Sequence, residues 1–169
     1  MSKNLIMRIK PNIEDKKLTR KIFGFNELLK RTKLDVIEEK PLSLFLNDQE
    51  IVTMMTVNDY PKYLALGYLL NQNMISSRTK IDKVEYYDDL MTVVVRTKKP
   101  VNYQKKLKKK TITSGCAQGT LFGDIMESFK KIKFKDTPKL KMSWIYELSK
   151  KINLMPSLYL KAGAIHGCV

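Results

Sequence analysis

The chain has 169 residues, 43% of them hydrophobic, enough to bury one sizeable core in a single domain or a domain with a small appendage. With 32 Lys and Arg against 17 Asp and Glu, the formal charge of +15 favours anionic partners: nucleic acid, an anionic membrane surface, or a small ligand carrying phosphates. Two cysteines, Cys116 and Cys168, exclude a secreted disulfide framework, and mixed charge without a low-complexity tract excludes a disordered chain.

Met1 to Lys10 interleaves Lys and Arg with isolated apolar residues and lacks the apolar core of a signal peptide. No run reaches membrane-spanning length, so a soluble, cytoplasmic protein is expected. Residues 1–40 read as a basic N-terminal arm, extended or pairing as an edge strand near Asp35-Val36-Ile37-Glu38-Glu39, and residues 41–169 as the folded domain. Leu42, Leu44 and Leu46 alternate with Ser43 and Phe45, Asn47-Asp48-Gln49 interrupts, and Ile51 to Thr56 follows, which predicts a β-hairpin. Asn58-Asp59 can cap a helix that has Pro61 at an early position. Its body, Tyr63 to Leu70, is apolar around most of its circumference and predicts a central buried helix, with Gly67 marking close packing against a sheet or another backbone.

Ile81 to Tyr87 and Leu90 to Thr97, joined through Asp88-Asp89, predict a second hairpin, with Thr92-Val93-Val94-Val95 as its clearest strand signal. Lys98 to Lys110 is strongly basic and contains Pro100. Thr111-Ile112-Thr113 then predicts a strand that feeds the Gly-flanked loop Ser114-Gly115-Cys116-Ala117-Gln118-Gly119. Helical spacing of Phe122, Ile125, Met126, Phe129 and Ile132, and again of Trp144, Ile145, Leu148 and Ile152, predicts two amphipathic helices. Ser157 to Ile165 predicts a terminal strand.

Cys116 is the chemical candidate. Gly115 and Gly119 let the backbone bend around it, and the Lys105 to Lys110 segment places positive charge nearby in sequence, which lowers a thiol's pKa and favours the nucleophilic thiolate. The competing reading is a small buried apolar residue, against which the flanking Ser, Gly, Gln and Gly argue. Cys168 lies beside the lone histidine, His166, where a Cys-His pairing is conceivable, but a filler at the end of a small-residue strand is the simpler account. One histidine and two distant cysteines do not make a zinc site, and there is no phosphate-binding glycine loop or nucleophile elbow. The run Lys105-Lys106-Leu107-Lys108-Lys109-Lys110 with Tyr103 nearby keeps a nucleic-acid-binding domain as a rival, although a lysine-protected strand edge explains the same run.

Several segments recur here in one order: Glu38-Glu39-Lys40-Pro41-Leu42, Thr53-Met54-Met55-Thr56, Leu64-Ala65-Leu66-Gly67-Tyr68-Leu69-Leu70, Val93-Val94-Val95-Arg96, Thr113-Ser114-Gly115-Cys116, and the closing Ala162-Gly163-Ala164-Ile165-His166-Gly167. Together they resemble the FdhD family of formate dehydrogenase accessory sulfurtransferases. The resemblance implies an α/β (α+β) fold similar to cytidine deaminases, with a mixed sheet and packed helices but without the deaminase zinc. It also implies that Cys116 carries a persulfide, with Ser114, Gly115 and Gly119 as loop residues for cofactor contact. Sulfur would come from a cysteine desulfurase and pass to the molybdenum bis-guanine-dinucleotide cofactor that serves formate dehydrogenase. A non-catalytic chaperone that holds this cofactor is the alternative of a different class. Many family members carry a second cysteine three positions on, where this chain has Gly119, so a two-cysteine relay is not expected. Family members also continue well past the His segment, so the resemblance reads the domain as incomplete after Val169, whether as a fragment, a split protein or a degenerate form, and full-length relatives suggest a homodimer.

Overall fold

The computed structural model describes residues 12–103, 107, 110–111, 121–122, 133, 139–163 and 165. In chain order its elements are β1 (Thr19–Phe25), β2 (Arg31–Ile37), β3 (Lys40–Leu46), β4 (Gln49–Thr56), α1 (Pro61–Asn71), β5 (Ile81–Tyr87), β6 (Thr92–Thr97), β7 (Lys110–Thr111), β8 (Leu121–Phe122), α2 (Met142–Leu154) and α3 (Leu158–Ala162). The fold is mixed α+β. The chain divides into two compact units, one made of Met1–Glu38 with Lys139–Val169 and the other of Glu39–Pro138.

In the second unit the expected hairpins form and join. Leu42, Leu44 and Leu46 point to one face of β3 and are fully buried, because successive side chains of a strand alternate. The β3–β4 turn at Asn47-Asp48 works because Asn47 accepts a left-handed backbone, φ 55°, and its amide then bridges to β6 by receiving the Thr97 N–H at 2.9 Å. β5 and β6 pair antiparallel from Ile81↔Thr97 to Tyr87↔Thr92, and β6 lies parallel to β3 with Leu44 opposite Val93 and Leu46 opposite Val95. The sheet order is β4-β3-β6-β5. A parallel pair needs a crossover, and α1 supplies it by packing Ala65, Tyr68 and Leu69 onto the buried faces of the strands. Each fully buried Leu or Val of this cluster contributes about 1.5–3 kcal/mol of transfer free energy.

Helix α1 departs from expectation in three ways. Its N-cap is Tyr60, in the left-handed region at φ 49°, with no side-chain cap hydrogen bond, since the Asn58 amide turns instead toward Tyr86 and Met91. One face is covered while Tyr63 and Leu70 are each 43% exposed, so the helix is half-buried. A Cβ added at Gly67 would meet nothing within 4 Å, so no close approach explains that glycine.

In the first unit, residues expected to form an extended arm or edge strand pair as the β1–β2 hairpin, with Phe25↔Arg31 at its tip. Asn26 organises the turn: its side-chain oxygen receives the N–H groups of Leu28 at 3.0 Å and Lys30 at 2.9 Å. The terminal strand expected over Ser157 to Ile165 is the short helix α3 instead. Ser157 caps it by accepting the Leu160 N–H at 3.3 Å, and Gly163 at φ 65° ends it. Leu158 of α3 is buried, and α3 packs on β2. The expected helix over Trp144 to Ile152 is α2. Phe122, expected to open a helix, belongs to strand β8, and the remainder of that expected helix lies outside the described residues apart from Lys133.

Candidate functional site

Lys110 pairs with Phe122 and Thr111 with Leu121, so β7 and β8 are antiparallel partners joined by the nine residues 112–120. Cys116 is the fifth of those nine. The expected strand into the cysteine segment is therefore present at Thr111, and a ladder closes the segment on its far side. Cys116, Ser114, Gly115 and Gly119 themselves lie outside the described residues, as do Cys168 and His166. The candidate thiol is thus located in sequence only, between β7 and β8.

Charge is organised around the β5–β6 hairpin. Lys83 Nζ lies 2.5 Å from Glu85 Oε1, and Arg96 reaches Glu85 Oε2 and Asp48 Oδ1 at 3.4 Å each. The hydrogen bond from Lys83 holds the Glu85 carboxyl below the usual carboxylate range, and the same bond raises the Lys83 ammonium. At the other end of the helix crossover, the Asn58 side-chain amide donates to the Tyr86 hydroxyl, which donates to Asp88 Oδ1 at 2.8 Å. Burial raises the Tyr86 hydroxyl above its ordinary value, and Asn58 Oδ1 is buried without a hydrogen-bond partner among the described residues.

A cleft of about 590 Å³ opens beside Arg78, Lys80, Lys98 and Lys99, with Pro100 and Val101 on its wall. A second, of about 460 Å³, shares Pro100 and Val101 but is lined by Asp48, Asp82 and Arg96. Sequence reading marked Lys98, Lys99 and Pro100 as the start of a basic stretch and missed Arg78 and Lys80. The register of β5 against β6 brings those two regions together, and no local pattern announces it. Among the described residues, no group of three or more His, Cys, Asp or Glu gathers as metal ligands would, and no helix is long and apolar enough to cross a membrane.

The model of the FdhD/NarQ family matches residues 37–169. The sulfur carrier protein FdhD of Wolinella succinogenes is 26% identical over 156 residues, covering 89% of this chain and 53% of that protein. The sulfur carrier protein FdhD of Listeria innocua is 25% identical over 138 residues, covering 78% of this chain and 51% of that protein. The chain therefore spans about half the length of these curated relatives. Among solved structures, a formate dehydrogenase accessory protein from Desulfotalea psychrophila is similar at a TM-score of 0.41 and 17% identity, over 57% of this chain and 43% of that one.

Proposed function

The chain belongs to the FdhD/NarQ family, and from that premise we propose that it carries sulfur on Cys116 for the maturation of formate dehydrogenase. The observation that carries the reading is that the family match runs through the Thr113-Ser114-Gly115-Cys116 segment, in relatives named as sulfur carrier proteins. The Cys116 thiolate attacks the outer sulfur of a persulfide on a cysteine desulfurase. The donor's S–S bond breaks, a new S–S bond forms on Cys116, and the donor leaves as a thiolate. The Cys116 S–S bond then breaks, its outer sulfur passes as a neutral atom to the substrate, the molybdenum bis-guanine-dinucleotide cofactor in its reduced form, which supplies the two electrons that make it a sulfide, and Cys116 leaves as a thiolate.

Two features favour such a step. The ladder of β7 and β8 brackets the cysteine segment in sequence, and connections between regular elements are where reacting groups are commonly presented. The net charge of +15 lowers the cost of ionising a thiol and draws a phosphate-bearing substrate. The test is activation of formate dehydrogenase in a strain lacking its own carrier. Cys116→Ser abolishes activation while Cys168→Ala retains it; undiminished activation by Cys116→Ser means that the protein only binds the cofactor.

A further inference from the structure

We propose that the cleft between the Ser76–Thr79 turn and the segment Lys98–Val101 is a binding site for a compact polyphosphate group, a role independent of any sulfur chemistry. Arg78, Lys80, Lys98 and Lys99 surround this cleft of about 590 Å³, a size suited to a small ligand. Among the described residues none of these four side chains has a hydrogen bond or an ion pair, whereas Lys83 and Arg96 on the same hairpin are engaged by carboxylates. Four unopposed cations around one concavity repel one another, and a polyanion of matching charge relieves that repulsion.

The backbone that carries the four is held in place. Ser76 and Thr79 exchange hydrogen bonds, Thr79 N–H to the Ser76 carbonyl and Ser76 N–H to Thr79 Oγ1, both at 2.9 Å, and Arg78 N–H donates to Ser76 Oγ at 3.3 Å. Lys98 N–H donates to the Lys80 carbonyl at 3.0 Å, which sets those two lysines side by side. The Thr97 hydroxyl donates to the Lys99 carbonyl at 2.7 Å, while Thr97 N–H is itself fixed by Asn47. Placement on ordered backbone reduces the entropy lost when an anion is gripped.

The ligand must also be short. The neighbouring cleft shares Pro100 and Val101 and is lined by Asp48 and Asp82, so carboxylates interrupt the positive surface on that side. A nucleic-acid strand needs a basic track several nucleotides long, which these carboxylates break. A linear phosphate chain of two or three units is the short polyanion that such a bounded cationic cleft suits.

The experiment is calorimetric titration of the full chain with inorganic pyrophosphate at low salt, repeated with adenosine triphosphate. The double variant Lys80→Gln/Lys98→Gln weakens pyrophosphate binding at least tenfold, while Lys139→Gln/Lys150→Gln, which removes the same charge from exposed positions of the other unit, changes it less than twofold. Arg78→Gln alone, on a turn held by its backbone and hydroxyls, weakens binding in the same direction and serves if the double variant does not fold. Tighter binding of the nucleotide assigns the phosphate to a nucleotide tail, and equal binding assigns it to the free phosphate chain. Equal weakening by both double variants, no pyrophosphate binding by the parent chain, or tighter binding of a single-stranded oligonucleotide that the cleft variants abolish overturns the proposal.

Discussion

Gly67→Ala stabilises the protein. Gly67 is interior to α1, has no left-handed backbone angle to protect, and lies at helical spacing from Tyr63 and Leu70 on the exposed stripe of that helix. Since an added methyl meets no atom within 4 Å, the substitution carries only the helix-propensity gain, roughly 0.8–1 kcal/mol, which arises largely from fewer accessible conformations in the unfolded chain. For a unit the size of Glu39–Pro138 that corresponds to a rise in melting temperature of about 4–8 °C. Thermal and urea melts followed by far-ultraviolet circular dichroism measure it. A loss of about 1 kcal/mol or more, comparable to a mild overpacking penalty, means instead that another backbone lies against that stripe in solution.

Leu44→Ala removes a fully buried side chain from the strand paired on both sides, by Val52 and Val93, and costs about 2–5 kcal/mol in a urea melt; a loss under 1 kcal/mol contradicts the assigned core. Burial pushes the Tyr68 hydroxyl up to about 12, so the folded state keeps its proton where the unfolded chain loses it. The associated stability is whole below about pH 10 and is lost as pH rises toward about 12, and Tyr68→Phe flattens this alkaline decline. The opposite sign applies to Glu85, whose carboxyl is held low by Lys83: its contribution is present above the ordinary carboxylate range and disappears as pH falls through the lowered value, so Glu85→Gln melts with a weaker acid dependence. Asn47→Ala loses the bridge from the β3–β4 turn to Thr97 and a residue tolerant of φ 55°, with an expected cost of about 1–3 kcal/mol.

The parts of the fold that sequence conveyed were those governed by local periodicity. Leu42, Leu44 and Leu46 can bury together only as a strand, and Thr92 to Val95 is too β-branched to prefer a helix, so β3, β4, β5 and β6 were readable. The parts that failed depended on competition between local partners. Asn58 has the chemistry of a cap, yet Tyr86, 28 residues on, takes its amide, and Tyr60 becomes the cap residue without a side-chain bond. Ser157 to Ile165 alternates like a strand, but a serine cap and a glycine with positive φ fit a single helical turn equally well. Arg78 and Lys80 acquire meaning only when β5 is laid against β6, a long-range pairing that their neighbours do not encode. Cys116 was singled out for another reason: a thiol flanked by small, polar and glycine residues in sequence reads more readily as a reactive group than as a core filler, and the residue itself lies outside the described ones.

Intact-protein and peptide mass spectrometry, after incubation of the chain with a cysteine desulfurase and cysteine, asks directly whether Cys116 accepts sulfur. One extra sulfur atom, reversible by reductant, is expected on the peptide containing Cys116, unchanged in Cys168→Ala and missing in Cys116→Ser. Sulfur found on Cys168 instead, or on neither cysteine while the desulfurase turns over, contradicts that expectation.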